Sequence, residues 1–466
     1  MKHSLICISA GMLKPKKADT PLARLHQYLN YGLLGLATIL SDIGYPVSVF
    51  HGGFLNPHDL ASRLLAENRF DTPLPLLLSL PSSFAIPWAR EFSAAVKTYV
   101  PKVRIIVGGR WVTANDGAWI RGQIPAADLV VYGLAETRIE QLINPELWPT
   151  IPLTDAYVIG RSFARDVIPP HLDFTLIDKF AEFQPCVEVS RGCGMGCNFC
   201  AEAAVPLSAL RPPTAVAEEL SRTAAVYAGE IRPYFQASFF RPTSRWIEDL
   251  QSDFHHRGIA ISWRAESRVD GLAPNQIASL ASAGLKVLDL GLESASPLQL
   301  RRMEKTSNPD AYLRRAAALL IACAENGIWT KVNILLFPGE TQETLRETRE
   351  WLDTHRRMIK GLSVGPMIVF RYGDESREYL QKIREFGASA VCESDLDSLG
   401  YAHLNPSAEL SHAAAAEYGR QLSRDFMTAD DYYDLKSFSY FPRSLSRREF
   451  DDIVSSSDEY SLPFAL

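Results

Sequence analysis

The chain reads as an α/β protein built from two successive βα runs and a mostly helical C-terminal region. Three observations point there. Short apolar strand signals alternate with helical stretches over the first 145 residues. The alternation restarts near residue 185 and runs to about 375. After that the strand signal fades into an Ala-rich and then aromatic-rich tail. A chain of 466 residues with 47% hydrophobic and 22% charged residues has ample material for more than one buried core and is too apolar to be disordered.

In the first unit, His3–Ala10, Pro46–Phe50, Leu74–Leu80, Val103–Val107 and Asp128–Tyr132 are apolar runs of strand length. Tyr31–Ile43 is Leu- and Ala-rich and stops at Gly44, as a buried helix with a glycine stop does. Trp88–Val100 and Ala135–Leu142 have helical spacing. The repeat predicts an open, flavodoxin-like (Rossmann-type) parallel sheet over residues 1–145, covered by helices on both faces. Such sheets bind ligands outside the carboxyl ends of their strands. From Pro145 to residue 184 the chain carries five prolines and no sustained period, which predicts a linker over residues 146–184 packed between domains.

The second run offers strands at Pro185–Ser190, Pro233–Phe239, Ala260–Arg264, Lys286–Leu290, Thr330–Phe337 and Leu362–Phe370. Helical stretches lie between them near Ala215–Tyr227, Ser244–His256, Pro274–Ala283, Asp310–Asn326 and Gln342–His355. Six strand–helix units over residues 185–375 are too few for a closed eight-unit barrel and suit a partial (β/α)6 barrel. Its functional face is expected at the C-terminal ends of the strands. Residues 376–466 are expected to form a helical cap or substrate-side region. Its aromatics, Tyr432, Tyr433, Phe438, Tyr440 and Phe441, either pack the cap onto the barrel or close its mouth.

Charge and composition narrow the function. With 48 basic and 54 acidic residues the net charge is -6, which argues against a protein that coats nucleic acid. Tyr31–Phe50 and Leu74–Trp88 are the most apolar stretches, and prolines and polar residues interrupt both, so no membrane association is expected. The segment Met1–Cys7 lacks a signal-peptide pattern and the seven cysteines are an odd number. A reducing cytoplasm is expected rather than a secreted disulfide scaffold.

Three cysteines stand close together. Ser190-Arg191-Gly192-Cys193-Gly194-Met195-Gly196-Cys197-Asn198-Phe199-Cys200 follows the first strand of the second unit with the spacing C-x-x-x-C-x-x-C. Three thiolates on a Gly-rich loop can wrap one metal centre, and iron–sulfur clusters are held at such short spacings. A four-iron cluster held by three cysteines leaves one iron open for chemistry. Structural zinc is the alternative and needs a fourth ligand, Cys186 or a distant histidine. A dithiol of Cys197 and Cys200 would leave Cys193 without a role. Cys7, Cys323 and Cys392 are scattered and read as buried thiols, and with Cys186 they are expected to be bystanders.

This cysteine loop, after the first strand of a partial barrel, resembles the radical S-adenosylmethionine (SAM) superfamily. The resemblance implies that Cys193, Cys197 and Cys200 hold a [4Fe-4S] cluster, that SAM chelates the open iron, and that one-electron reduction yields a 5′-deoxyadenosyl radical. It places Phe199 near the adenine. Ala283-Gly284-Leu285 followed by Leu290-Gly291-Leu292-Glu293-Ser294 resembles the family's fourth-strand segment, and Val332-Asn333 through Pro338-Gly339-Glu340-Thr341 its fifth-strand turn. By that likeness Glu293, Asn333, Pro338 and Gly339 contact SAM, as does Arg268 from Trp263–Arg268 at the end of the third strand. Acidic residues common after the second strand are absent; Gln236 and Ser238 stand there and are expected to meet SAM instead.

The order of sheet, linker and barrel resembles the subclass with an N-terminal cobalamin-binding domain. Gly108-Gly109 and Gly133, with Glu136, match its fourth- and fifth-strand ends and imply cobalamin contacts. The D-x-H-x-x-G loop that carries a cobalt-ligating histidine is absent, since His51-Gly52-Gly53 lacks the aspartate and the spacing. The resemblance implies a C-methyltransferase acting on an unactivated carbon of a small metabolite, a natural-product intermediate, with flavodoxin or ferredoxin as electron donor. The alternatives are radical cyclisation, rearrangement or oxidation without methyl transfer, and a non-catalytic iron–sulfur or zinc module.

Overall fold

The computed structural model describes the chain except residues 1–3, 17–18, 113–116, 145, 147–156, 159–168 and 373–374. Most of the expected linker therefore lies outside the described residues, as does Thr113 of the fourth-strand motif.

The first sheet has six parallel strands: β1 Leu5–Ser9, β2 Val47–His51, β3 Leu76–Ser79, β4 Ile105–Gly108, β5 Leu129–Tyr132 and β6 Tyr157–Val158. Their order, β2-β1-β3-β4-β5-β6, puts the reversal of winding between β1 and β3. β1 is buried at every position, as a strand covered on both faces must be. One face packs the helix Ile86–Tyr99, whose Trp88 and Phe92 are fully buried and stacked at 5.0 Å. Each such side chain contributes roughly 1.5–3 kcal/mol by leaving water. The other face packs the helix Tyr31–Asp42, capped by Asn30, whose Oδ1 accepts from the Leu33 amide. β6 and the stretch around Phe174 and Ile177 attach the linker's described parts to this unit. Ile177 bridges to Val49, and the Asp178 amide donates to the Val49 carbonyl.

The second sheet also has six parallel strands: β7 Cys186–Glu188, β8 Tyr234–Gln236, β9 Trp263–Arg268, β10 Leu285–Glu293, β11 Trp329–Leu336 and β12 Gly361–Pro366. They run in sequence order from β7 to β12. β7 and β12 are edges, so the barrel is partial. Amphipathic helices such as Ser244–His256 and Gln342–Thr354 cover its outside and bury Trp246, Ile247, Leu250 and Leu352.

Three elements differ from expectation. The third barrel strand is not Ala260–Arg264 but Trp263–Arg268. Its alternate residues are charged, and they point into the barrel rather than to solvent. β10 runs on to Glu293, past the expected end at Leu290. The expected strand Leu362–Phe370 breaks at Pro366, which has no amide to donate. The next strand, β13 Ile368–Phe370, leaves the barrel and pairs antiparallel with β15 Tyr401–Asn405, which also pairs with β14 Ser389–Ala390. The C-terminal region is mostly helical and adds this small sheet.

The tail aromatics settle at the barrel's base. Tyr432, Leu435, Phe438, Phe441, Phe450 and Phe464 form a core with Val287, beside Trp329, both near strand starts. They pack the cap onto the end opposite the mouth.

Candidate radical SAM site

The cysteine loop leaves β7 at the carboxyl end of the barrel. Gly192, Gly194 and Gly196 all take positive φ, between 67° and 73°. At Gly192 the requirement is also spatial, because a Cβ would lie 2.2 Å from the Pro206 carbonyl oxygen. The loop folds back on itself through the Cys193 amide, which donates to the Val205 carbonyl, and the Cys200 amide, which donates to Cys197. Cys197 is buried, Cys193 half-buried and Cys200 exposed. Cys186 lies elsewhere, buried in the core of the first unit with Tyr227 and Ile231, so it is not a fourth ligand of this loop. Cys7 and Cys323 are buried as expected; Cys392 is instead exposed, beside the Ser394 hydroxyl, because it sits in a turn after the short strand β14.

The donor set fits a cluster. Among the described residues no three His, Cys, Asp or Glu side chains gather tightly enough for one shared ion. A cubane asks for one thiolate on each of three irons, on a loop that holds them apart. Arg268, at the end of β9, sets its guanidinium against Cys197, Nη1–Sγ 2.6 Å. Its other donors reach Asp270 at 2.8 and 3.0 Å and the Lys305 carbonyl at 2.9 Å.

The expected SAM residues fall along the rim. Glu293 ends β10 with φ 69°, in the left-handed region, and accepts from Lys305 Nζ at 3.1 Å. The Lys305 ammonium is buried and also lies 6.0 Å from the Phe199 ring centre. Phe199 packs edge-on to Phe337 at 6.3 Å. Asn333 on β11 accepts from Lys331 Nζ at 3.0 Å. Gln236 closes β8, and Ser238 follows it, exposed. Pro338 and Gly339 form the turn after β11. Gly339 has φ 89°, and its carbonyl accepts from Arg302 Nη1 at 2.8 Å. Thr341 then caps the helix Gln342–Thr354. Lys305 was not anticipated from sequence; its signal was a lone lysine after the helix that follows β10.

The first sheet presents its ligand edge to this rim. Gly109 and Gly133 have φ 108° and 106° and end β4 and β5, with Gly108 closing β4. A Cβ at Gly109 would sit 2.7 Å from the Leu80 amide nitrogen. Glu136 accepts from Arg191 Nη1 at 2.6 Å, and Arg191 pairs on its other side with Glu188 at 2.7 Å. Arg110 reaches Glu202, beside Cys200, at 2.7 Å. Lys16, from the loop after β1, lies over Phe84, from the loop after β3, at 5.5 Å. These loops flank the reversal of winding, where open sheets take ligands, and close glycine backbones there fit a broad flat group. His51 does not join them. It points inward against Phe183 at 4.8 Å, its Nε2 accepts from the Asn30 amide, and burial pushes it down to about 4.

A cavity of about 500 Å³ opens at the other end of the barrel, near Arg232, Lys286, Trp329, Phe438 and Arg443. It borders strand starts, away from the cysteines, and Arg443 there is taken up by the carbonyls of Ala228 and Glu230.

Residues 187–352 match the family model of the Radical SAM superfamily, and this stretch is a radical SAM domain. The chain carries the barrel of a radical SAM enzyme. Two structures share its fold over most of its length. The radical SAM methyltransferase TsrM of Kitasatospora setae, solved with tryptophan and a SAM analogue, aligns with a TM-score of 0.61 at 17% identity, covering 90% of this chain and 83% of that one. OxsB, a cobalamin-dependent SAM radical enzyme solved with aqua-cobalamin, aligns with a TM-score of 0.67 at 14% identity, covering 97% and 70%. In sequence, the chain is 26% identical to an uncharacterised methyltransferase of Pyrococcus horikoshii, over 53% of this chain and 57% of that one. It is 25% identical to the tRNA-2-methylthio-N(6)-dimethylallyladenosine synthase of Desulfotalea psychrophila, over 55% and 59%. The chain thus matches less than two thirds of the length of either sequence relative. Among the described residues no helix is long and apolar enough to cross a membrane.

Proposed function

We propose that the chain is a cobalamin-dependent radical SAM C-methyltransferase acting on an unactivated carbon of a small metabolite, a natural-product intermediate. The observation that carries this reading is the meeting of two ligand edges: the cysteine loop at the barrel mouth faces the reversal of winding in the first sheet, and Glu136–Arg191–Glu188 ties the two together. On this reading residues 1–145 hold cobalamin, 185–375 hold the cluster and SAM, and 376–466 complete the substrate side, with 146–184 joining them.

When bound, these groups supply a 5′-deoxyadenosyl radical and a transferable methyl group. The chain's own residues bind, orient and shield. Cys193, Cys197 and Cys200 ligate the cluster. Arg268 donates to the Cys197 sulfur and holds it in place. Glu293 and Lys305, with Gln236, Ser238, Asn333, Phe199, Pro338 and Gly339, line the SAM side. Gly108, Gly109, Gly133 and Glu136 line the cobalamin side. The C-terminal core seals the base, which keeps water and oxygen from a carbon radical. A flavodoxin or ferredoxin delivers the electron near Cys200, the most exposed of the three thiols.

Anaerobic reconstitution with iron, sulfide and hydroxocobalamin tests the proposal. Labile sulfide, 5′-deoxyadenosine formed from SAM, and a retained corrin absorbance band are expected. Cys197→Ala should abolish 5′-deoxyadenosine. A wild-type protein without labile sulfide refutes radical chemistry, and one with a cluster but no corrin band refutes methyl transfer in favour of cyclisation, rearrangement or oxidation.

A further inference from the structure

Cations inside the barrel are bonded to carboxylates. Arg264, on the inner side of β9, donates to Asp289 from Nε and Nη2 at 2.6 and 2.8 Å, and from Nη1 to the Leu435 carbonyl of the cap at 2.8 Å. Lys331 donates to Asp289 at 3.1 Å, and Tyr234 to the same carboxylate at 3.2 Å. Against the upward push of burial, Arg264 and Lys331 hold Asp289 well below the usual carboxylate range.

The cavity of about 500 Å³ at the barrel's base is lined differently. It lies between the starts of β8 to β11 and the helix Ala429–Ser437 with the turn that follows it. Arg232, Lys286 and Arg443 border it. Lys286 donates to the Gly327 carbonyl at 2.7 Å and lies over Trp329 at 4.7 Å. Arg443 donates only to neutral oxygens, the Gln184 amide at 3.3 Å and the carbonyls of Glu230 and Ala228 at 3.0 and 2.9 Å. No hydrogen bond holds the Arg232 guanidinium among the described residues, and Glu230 stands 3.5 Å from its Nε. The second carboxylate on the cavity, Asp434, is taken by Lys360 at 2.8 Å. Glu182 accepts from the Ser444 hydroxyl and does not border the cavity. Glu230 alone thus faces three cations, which leaves two positive charges unmatched. Burial pushes Arg443 below its ordinary value, and Arg232 adds to the push, against Tyr227, Glu230 and Glu182. Phe438, Pro442 and Leu445 give the cavity an apolar wall.

We propose that this cavity is a small-molecule site, separate from the one at the cysteines, and that it takes a phosphate monoester carried on an apolar group. Two unmatched positive charges call for a dianion, and a phosphate monoester carries about −1.5 to −2 at neutral pH where a single carboxylate carries one charge. Its three terminal oxygens suit the forked donors of two guanidiniums and the point charge of an ammonium. The apolar wall suits the esterified group, and the volume falls within the roughly 300–1,000 Å³ of small-ligand pockets. Such a ligand joins Arg232 and Lys286 of the barrel to Arg443 of the cap, and so fastens the cap to the base. The assignment does not depend on the reaction proposed above, because the cavity borders strand starts and the cysteines lie at strand ends.

Calorimetry on the reconstituted, unreduced protein with saturating SAM tests it. The probes are phenyl phosphate, its neutral analogue phenol, and inorganic phosphate, at about pH 8, where the phosphate is a dianion. Saturable binding of phenyl phosphate is expected, tighter than that of inorganic phosphate, and phenol should not bind saturably. Arg232→Gln and Lys286→Gln should each weaken it about tenfold or more, the scale of a lost hydrogen bond to a charged group. Arg245→Gln removes a charge that is 80% exposed on the outer helix and should leave the affinity unchanged. No saturable binding by the wild type, binding of phenol or inorganic phosphate as tight as that of phenyl phosphate, an unchanged affinity in Arg232→Gln, or an equal loss in Arg245→Gln overturns the proposal. Should the cavity variants not fold, amide hydrogen exchange of the wild type decides. Saturating phenyl phosphate must slow exchange at residues 228–232 and 443–445 and leave 191–200 unchanged, and protection at 191–200 alone overturns the site. No reduction or turnover enters these measurements, so their failure leaves the proposed reaction standing and the failure of that reaction leaves them intact.

Discussion

Gly192 and Gly196 share a backbone conformation and differ in what surrounds it. Both have φ 73°, but a Cβ at Gly192 meets the Pro206 carbonyl, and one at Gly196 meets nothing within 4 Å. Gly196→Ala should therefore cost only the backbone term, about 1–2 kcal/mol, and load iron almost as the wild type does. Gly192→Ala should displace the loop and lose most of its iron, measured as iron and labile sulfide per chain after anaerobic reconstitution. Glu340 offers a residue-scale test by pH. Burial raises its carboxyl to about 7, opposed by the hydrogen bond from Thr344. Between the unfolded value of about 4.5 and the folded value of about 7 the native state binds more protons than the unfolded chain, so stability falls as pH rises through that window. Glu340→Gln should stabilise the protein at about pH 8 relative to pH 5, by up to about 3 kcal/mol. Chemical denaturation at the two pH values reads it. Equal effects at both would contradict the assignment.

At the scale of elements, β9 shows where sequence patterning succeeds and fails. The cysteine loop was legible because three identical rare residues at fixed spacing have few structural explanations. The parallel strands of the first sheet were legible because burial on both faces makes them continuous apolar runs. β9 was placed three residues early because a strand lining a polar lumen carries Arg264, Glu266 and Arg268 on its inner side, a pattern that reads as an exposed strand end. The inner layer of Asp289, Lys331 and Tyr234 went unread for the same reason: each is an isolated polar residue in its own strand, and only the register joins them. β13 to β15 were not visible because they are two to five residues long and β13 pairs with β15 across more than thirty residues. The lumen network carries a prediction of its own. Arg264→Ala leaves Asp289 with Lys331 as its one cation, beside the Tyr234 hydroxyl, and should destabilise the barrel by about 3–5 kcal/mol, the usual cost of breaking a buried pair. A melting curve checks it. Loss within the range of a surface substitution, about 0.5 kcal/mol, would show that the network is not buried as described.

For the whole molecule, the joint between the two units matters most. Arg191 belongs to the cysteine loop, and Glu136 to the first sheet's edge, and both are mostly buried where they meet. Further ties run from Arg110 to Glu202 and from the Trp119 indole to the Asp397 carbonyl at 2.6 Å. Glu136→Gln keeps the shape and removes the charge. Amide hydrogen exchange should then quicken in residues 191–200 and stay unchanged in β10 and β11, since the joint and the barrel core open independently. Uniformly faster exchange would mean that the pair supports the fold as a whole.

The bond from Arg264 to the Leu435 carbonyl spans 171 residues of chain. At ribosomal rates, about 5–20 residues per second, roughly 10–30 seconds separate the emergence of its two partners. Once β12 ends at Pro366 the barrel strands are complete in sequence, yet until Leu435 emerges their base is open to water and one guanidinium donor is unmet. The nascent barrel is thus a waiting state, held for the last turn of synthesis to close it. A chain stalled before Leu435 should be far more sensitive to protease than one stalled after Phe441.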